Sequence, residues 1–176
     1  MRERDVQYKN EFFKNLFQMK RFFFKKENFY LLVFILFLFL IDRYSKSIVI
    51  ENFSNKSYFL NDFVNLALTW NTGIGFGFLS STSDFEYNLV STLIGLVIMI
   101  LIYVLINSKL IEKIILSLII GGALGNYYDR LVFNAVPDFI DLHFKNFHWF
   151  TFNIADVFIT LGVISYIISG NQKSIK

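Results

Sequence analysis

Two aspartates in the last quarter of the chain are candidates for proton-transfer chemistry. Asp138 and Asp156 each have no lysine or arginine within four positions along the sequence. Two carboxyl groups held close together do not both ionise readily, so one keeps a proton while the other stays charged. The charged partner can take a proton from water, and the protonated partner can donate to a carbonyl oxygen. This pattern favours hydrolysis of a peptide bond by activated water, without a covalent intermediate.

Two further aspartates stand close to basic residues in the sequence. Asp42 and Lys46 are four positions apart and therefore share one face of a helix, and Asp129 directly precedes Arg130. A charge at membrane depth costs at least ~2.5 kcal/mol, so charged residues there usually face a polar cavity and mark function. Two interpretations remain open for these four residues. They are either ion pairs that brace a helix bundle or parts of a hydrolytic site.

The elements that must position these residues are long apolar segments. Hydrophobic residues make up 55% of the 176 residues, and there is a single proline. This fraction exceeds the roughly 45–50% usual for soluble domains. Four segments come close to the ~20 residues that a helix needs to cross a membrane: about 29–50, 89–106, 114–131 and 150–168. The predicted fold class is an all-α membrane protein with four transmembrane helices.

Basic residues are distributed unevenly among the segments that connect these helices. Residues 1–28 hold eight lysines and arginines, and four more lie in the turn 107–113 and after residue 169. The opposite connections, residues 51–88 and 132–149, hold only two. Because basic loops tend to stay in the cytoplasm, both termini are expected to be cytoplasmic. We therefore predict a basic N-terminal arm (1–28), which flanks a membrane rather than binding nucleic acid, a catalytic membrane domain (29–169) and a cytoplasmic tail (170–176).

The two outer connections are predicted to lie against the membrane. Residues 63–68 show a partial alternation of apolar and polar side chains. This pattern favours short strands and a small extracytoplasmic β-sheet. Residues 132–149 contain Pro137 and many aromatic residues, which are typical of an element in the membrane interface. A rise of 1.5 Å per residue along the predicted helices places the four aspartates above at one depth, near the outer face.

Five short blocks resemble, in order, those of the bacterial lipoprotein signal peptidases, the type II signal peptidases. The blocks are DRYSK (42–46), NTGIGFG (71–77), GGALGNYYDR (121–130), VPDF (136–139) and FNIAD (152–156). One block alone is a weak signal, whereas five in the family's order are a strong one. Gly75 and Trp70 depart from the family pattern, in which alanine and smaller residues are usual, and this departure concerns the shape of the loop.

The resemblance implies an intramembrane aspartic endopeptidase of the bacterial inner membrane. Such an enzyme removes signal peptides from diacylglyceryl-modified prolipoproteins by cleaving before the lipidated cysteine, so lipidated prolipoproteins and membrane lipids are the implied partners. The implied catalytic residues are Asp138 and Asp156. The implied residues that shape the site or hold the substrate are Asp42, Lys46, Asn71, Gly73, Asn126, Asp129, Arg130 and Asn153. In this family the first outer connection forms a sheet that cradles the substrate, and the second carries a short interfacial helix.

A proton or cation carrier is the main alternative function, because acidic residues inside membranes also serve proton relays. A carrier needs a polar path to the cytoplasmic side. The inner halves of the third and fourth predicted helices offer only the hydroxyls of Ser117, Thr160 and Ser165. The sequence therefore favours the peptidase.

Metal and phosphate chemistry are weaker alternatives. His143 and His148 lie in an aromatic-rich loop and are interpreted as surface residues, so no metal or other cofactor is expected. The chain has no cysteine, which excludes thiolate nucleophiles. Glycines 121, 122 and 125 lie inside an apolar helix with no preceding strand, and this favours close helix packing over a phosphate-binding loop.

Overall fold

The computed structural model describes residues 26–53, 56–73 and 84–173. The elements, in chain order, are α1 (Lys26–Asn52), β1 (Tyr58–Asn61), β2 (Val64–Asn71), α2 (Asp84–Asn107), α3 (Leu110–Phe133), β3 (Val136–Phe144), β4 (Phe147–Phe152) and α4 (Ile154–Lys173). The protein is mostly helical with one small sheet. Most of the predicted basic arm (1–25), Gly75 with the rest of 74–83, and tail residues 174–176 lie outside the described residues.

Helix α3 is packed against the other three helices, and glycines allow its close approach to two of them. A Cβ atom at Gly121 would lie 2.8 Å from the Cβ atom of Leu38 in α1. A Cβ atom at Gly122 would collide with the backbone carbonyl oxygen of Ala155 in α4. The prediction that these glycines serve helix packing is therefore confirmed.

Among the described residues, two helices are long and apolar enough to cross a membrane, α2 over Tyr87–Asn107 and α3 over Leu110–Phe133. The apolar part of α4, Ile154–Gly170, is shorter. The first three predicted helices began three to five residues too late and ended one or two residues too early. Helix ends are polar or frayed, so an apolar pattern alone underestimates their length.

The four strands form one antiparallel sheet in the order β1-β2-β3-β4. Strands β2 and β3 come from different connections and pair with each other, which places Asn71 opposite Val136 and Thr69 opposite Asp138. The small sheet predicted for the first connection is confirmed, and it includes the second connection as well. This pairing brings two of the five sequence blocks together.

The prediction of a short interfacial helix within residues 132–149 is wrong. Strands β3 and β4 form a hairpin there, with a two-residue turn at 145–146 in which Lys145 has a positive φ of 54°. Aromatic and β-branched residues are as typical of strands as of interfacial helices. The backbone of β3 is paired on both sides, by β2 and by β4, and this pairing decides between the two structures.

Candidate active site

The start of helix α4 fixes the position of Asp156. The Asn153 side-chain oxygen accepts a hydrogen bond from the Asp156 backbone N–H at 3.1 Å, and Oδ2 of Asp156 accepts one from the Asn153 backbone N–H at 3.1 Å. This reciprocal arrangement is a capping box, in which Asn153 is the last residue before the helix. The helix start predicted at residue 150 is therefore wrong, because β4 continues to Phe152. Asp156 lies in the first turn of α4, at the positive end of the helix dipole.

Asp138, on β3, is held between two asparagine amides. The Asn153 Nδ2 donates to Oδ1 of Asp138 at 2.6 Å, and the Asn71 Nδ2 donates to Oδ2 at 2.9 Å. Asn71 is the last residue of β2, and its own side-chain oxygen accepts from the Gly73 N–H at 2.9 Å. The Asp138 side chain is thereby fixed at the point where β2 and β3 meet.

Asp138 and Asp156 face one cleft of about 300 Å³. Asn153 links them, because its side chain binds Asp138 while its backbone binds Asp156. The polar lining of the cleft comprises Asn71, Asn126, Arg130, Asp138, Asn153 and Asp156. Its remaining lining is Ile94, Ala123, Val136, Ile159 and Thr160. The cleft thus joins two carboxyl groups to a largely apolar wall.

Burial is the main reason why the pKa of Asp138 is raised from its ordinary value of 3.8 to about 6. The negative charge of Asp156 raises this pKa further, whereas the hydrogen bonds from Asn71 and Asn153 partly lower it. Asp138 therefore keeps a proton at pH values at which an ordinary aspartate has lost it. A raised pKa beside a second carboxylate is suited to acid–base chemistry.

A buried ammonium group connects the cleft to helix α1. Lys46 Nζ donates to Oδ2 of Asp42, Oδ1 of Asn126 and Oδ2 of Asp129, each at 2.7 Å. The side chains of Lys46, Asp42 and Asp129 are completely buried. The second oxygen of Asp42 accepts from the Ala155 N–H at 3.0 Å, so α1 also binds the start of α4.

The interpretation that Asp129 and Arg130 form an ion pair is wrong, whereas the Asp42–Lys46 ion pair is confirmed. Asp129 pairs with Arg43 and Lys46, both in α1. Successive residues on a helix point about 100° apart, so Asp129 and Arg130 face different neighbours. Arg43 was not among the residues predicted for the site, although a charge within an apolar helix was an available signal.

Arg130 instead anchors the end of β2 to α3. Its guanidinium donates to the carbonyl oxygens of Gly73 at 2.8 Å and of Asn126 at 3.2 Å. The carbonyl oxygen of Arg130 accepts from the Tyr87 hydroxyl at 3.0 Å, which adds a contact from α2. Arg130 therefore supports the Asn71–Gly73 corner that holds Asp138.

Comparison with known proteins assigns the family. The sequence profile described as signal peptidase (SPase) II matches residues 34–171. The chain belongs to the signal peptidase II family. It is 47% identical over 146 residues to the lipoprotein signal peptidase of Pelagibacter ubique (strain HTCC1062), a match that covers 81% of this chain and 88% of that protein. It is also 35% identical over 133 residues to the lipoprotein signal peptidase of Dichelobacter nodosus (strain VCS1703A), with 74% and 86% covered.

Solved structures agree with membership of the signal peptidase II family. One, described as a bacterial membrane enzyme, aligns with a TM-score of 0.69 and 29% identity and covers 82% of this chain and 88% of its own. A second with the same description aligns with a TM-score of 0.65, also at 29% identity, with 79% and 90% covered. These similarities favour the peptidase over the proton carrier.

The structure brings together all ten residues singled out in the sequence. Six of them line the cleft, Asp42, Lys46 and Asp129 form the buried network beside it, and Gly73 holds Asn71 and Arg130. The sequence did not single out the non-polar wall, which includes Ile94 of α2 and Ala123 of α3. Nothing in their spacing marks such residues, because they are contributed by helices distant in sequence.

The sequence predicted that both His143 and His148 are surface residues, and this is wrong for His143. His143 is only 5% exposed, because β3 turns it to the same face as Asp141, and neither ring nitrogen has a hydrogen-bond partner in the described chain. The Nδ1 atom of His148 lies 2.7 Å from Oδ2 of Asp141. Within residues 26–53, 56–73 and 84–173, no group of three or more His, Cys, Asp or Glu residues is arranged to hold a metal ion.

Proposed function

We propose that this chain is an intramembrane aspartic endopeptidase in which Asp138 and Asp156 share one proton. The observation that carries the proposal is the double contact of Asn153, which holds both carboxyl groups at one cleft. The relatives are named lipoprotein signal peptidases. We infer that the substrate is a diacylglyceryl-modified prolipoprotein and that the scissile bond precedes its lipidated cysteine.

The reaction needs one protonated and one ionised carboxyl group. The ionised carboxylate takes a proton from water as the water oxygen bonds to the scissile carbonyl carbon, and the protonated carboxyl gives its proton to the carbonyl oxygen. In the resulting gem-diol, the first carboxyl then protonates the leaving nitrogen. The C–N bond breaks, and the second carboxylate recovers a proton from a gem-diol hydroxyl. The pair ends with the single proton with which it began.

The remaining predicted residues act by holding this pair in place. Asn71 and Asn153 position Asp138, and Asn126 positions Asp156. Gly73 and Arg130 hold the end of β2, while Asp42, Lys46 and Asp129 join α1 to α3 and α4. Strands β2 and β3 contribute Asn71, Val136 and Asp138 to the lining of the cleft, so the sheet is the surface that would cradle an extended substrate.

We also propose that all four helices span the bacterial inner membrane, with both termini in the cytoplasm and the cleft near the outer face. Helix α1 has 27 residues and α4 has 20, lengths of about 40 and 30 Å, and a hydrocarbon core is about 30 Å thick. Large apolar side chains such as Phe29, Leu36 and Ile164 are exposed on these helices, where lipid would cover them. Residues 29–169 then form one catalytic domain between the basic arm (1–28) and the tail (170–176).

Cleavage of a lipidated prolipoprotein in detergent tests the proposed chemistry. Asp138→Asn and Asp156→Asn each preserve side-chain shape but remove a proton-transfer group, so each should lower kcat by more than about 100-fold. Asp141→Asn is the matched control, since Asp141 is a buried aspartate of the same strand that pairs with His148 outside the cleft. Asp141→Asn should keep most of the activity. Wild-type activity in either of the other two variants would overturn the aspartic assignment.

A further inference from the structure

The amide groups that donate to the two aspartates differ in what their own oxygens bind. The amide that donates to Asp156 has its oxygen bound to the Lys46 ammonium, whereas the two amides that donate to Asp138 have theirs bound to backbone N–H groups. We propose that Lys46, acting through the Asn126 amide, makes Asp156 the ionised member of the pair and leaves the shared proton on Asp138. This inference rests on the proposed aspartic chemistry and assigns the two roles that the mechanism requires. Lys46 is in this sense a positioning residue, since its ammonium group contacts Asp42, Asn126 and Asp129.

Lys46 fixes which way the Asn126 amide points. An ammonium group can only donate hydrogen bonds, so the Asn126 atom 2.7 Å from Nζ must be the oxygen. The Asn126 NH₂ group is then directed at Oδ1 of Asp156, at 2.8 Å. The opposite orientation would place NH₂ against the ammonium and the amide oxygen against the carboxylate. An amide whose oxygen binds a cation is also a more strongly polarised donor, and this favours negative charge on Asp156.

The remaining surroundings of Asp156 favour the same charge. The carboxylate lies in the first turn of α4, where the helix dipole and the Asn153 N–H stabilise an anion. Charged groups face it from three elements: Asp42 and Lys46 from α1, Arg130 from α3 and Asp138 from β3. From α2, Tyr87 reaches the carbonyl oxygen of Arg130. The charge of Asp42 is offset by its contact with Lys46 and by the Ala155 N–H.

Asp138 also accepts two hydrogen bonds, but neither donor amide has its oxygen bound to a cation. Lys46 and Arg130 also attract the charge of Asp138, but through space rather than through one of these amides. Its two donors are the amides of Asn71 and Asn153, whose oxygens accept from the neutral backbone N–H groups of Gly73 and Asp156. Asp138 is 3% exposed and lies on strand β3 rather than in the first turn of a helix, although the Asn153 amide at the start of α4 reaches it. The raised pKa of Asp138 agrees with a proton held there. Asp156 therefore takes the proton from water, and Asp138 donates to the carbonyl oxygen.

A crossed pH experiment tests this assignment. The pH dependence of kcat/KM is measured with a lipidated prolipoprotein for wild type, Asn126→Ala and Asn71→Ala. Each variant removes one amide donor from one carboxyl group, so each is the matched control of the other. Asn126→Ala should move the acidic limb to higher pH by about one unit, because Asp156 loses a donor to its charged form. Asn71→Ala should instead move the alkaline limb to higher pH and leave the acidic limb in place.

The opposite pattern, with Asn126→Ala moving the alkaline limb and Asn71→Ala the acidic limb, would overturn the assignment. An unshifted profile for a folded Asn126→Ala protein would also overturn it. If Asn126→Ala does not fold, Asn126→Asp replaces it. This variant keeps an oxygen toward Lys46 but turns a second oxygen toward Asp156, so the acidic limb should shift further.

The part played by Lys46 is tested with a charge-neutral double variant. Lys46→Met combined with Asp42→Asn removes one charge of each sign and keeps an oxygen at residue 42 for the Ala155 N–H. This pair of changes should shift the acidic limb as Asn126→Ala does, with Asp42→Asn alone as the control. Adding Asn126→Ala to it should produce little further shift, because both act on one contact. A fully additive shift would show that Lys46 does not act through Asn126.

The outcomes separate this inference from the function on which it rests. Activity retained in Asp138→Asn or Asp156→Asn rejects the aspartic chemistry itself. Activity lost in both, together with a wild-type pH profile for Asn126→Ala, rejects only the role of Lys46 and Asn126.

Discussion

At the residue scale, the site depends on three asparagines whose amides each have a fixed orientation. Each amide oxygen is occupied by a donor, so each NH₂ group is directed at a carboxyl group of the proposed catalytic pair. The donors are the Gly73 N–H for Asn71, Lys46 Nζ for Asn126 and the Asp156 N–H for Asn153. Replacing an asparagine here would therefore change the ionisation of the carboxyl group that it faces.

The raised pKa of Asp138 predicts that this residue lowers stability at neutral pH. The folded protein holds the Asp138 proton up to about pH 6, whereas the unfolded chain releases it near its ordinary pKa of 3.8. Below pH 3.8 Asp138 is protonated in both states and does not change the free energy of unfolding. As the pH rises from 3.8 to about 6, the free energy of unfolding falls by about 3 kcal/mol in all. Asp138→Asn removes this loss, so its apparent Tm relative to wild type should be higher at pH 7 than at pH 4.

Thermal unfolding in detergent at the two pH values measures this difference. Asp62→Asn is the control, because it removes one carboxyl group from an exposed turn. The same Tm difference between Asp138→Asn and wild type at both pH values would show that burial does not perturb Asp138.

At the element scale, activity depends on how closely α3 approaches α4. Gly122 lies against the backbone of Ala155, two residues after Asn153, so this contact sets the position of the helix start that holds Asp156. A methyl group at residue 122 would push the start of α4 away from α3, because the backbone it meets cannot move aside as a side chain can.

Gly122→Ala should lower the free energy of unfolding by about 1–3 kcal/mol and reduce activity by more than its loss of folded protein explains. Gly170→Ala is the matched control, because it makes the same substitution in an apolar helix. Gly170 lies in the apolar stretch of α4, and no atom is within 4 Å of a Cβ added there. Thermal unfolding and cleavage rates measure both effects. A Gly122→Ala protein with wild-type Tm and activity would contradict this role for the contact.

At the scale of the whole molecule, the proposed topology places the hairpin turn and the α2–α3 turn on opposite sides of the membrane. The chain has no cysteine, so a single introduced cysteine can be labelled without background. Lys145→Cys and Lys109→Cys are matched, since both replace an exposed lysine in a short turn. A membrane-impermeant maleimide should label Lys145→Cys in cells whose outer membrane is permeabilised, and Lys109→Cys only after lysis. Labelling of Lys109→Cys in cells whose inner membrane is intact would show that the orientation is the reverse of the one proposed.

Charge and apolar patterning predicted a mostly helical protein and singled out residues that the structure brings together around one cleft. The aspartates were identifiable because a carboxyl group in or beside an apolar segment is unfavourable unless it has a function, and five short blocks gave the family resemblance. The glycines of α3 could be assigned to packing for a similar reason, since no strand precedes them.

Partners across the molecule were decided by the tertiary structure alone. Asp129 was expected beside Arg130, but it pairs with Arg43, because the direction of each side chain depends on helix rotation and on which helix lies next to it. Residues 132–149 were expected to include an interfacial helix, but they form strands, because pairing with β2 satisfies the backbone. Sequence by itself determined which groups are present, and it predicted that the four aspartates lie at one depth. The packing of α1, α3 and α4 and the pairing of β2 with β3 decided which amide faces which carboxyl group, because hydrogen bonds form between atoms brought within about 3 Å by elements far apart in the chain.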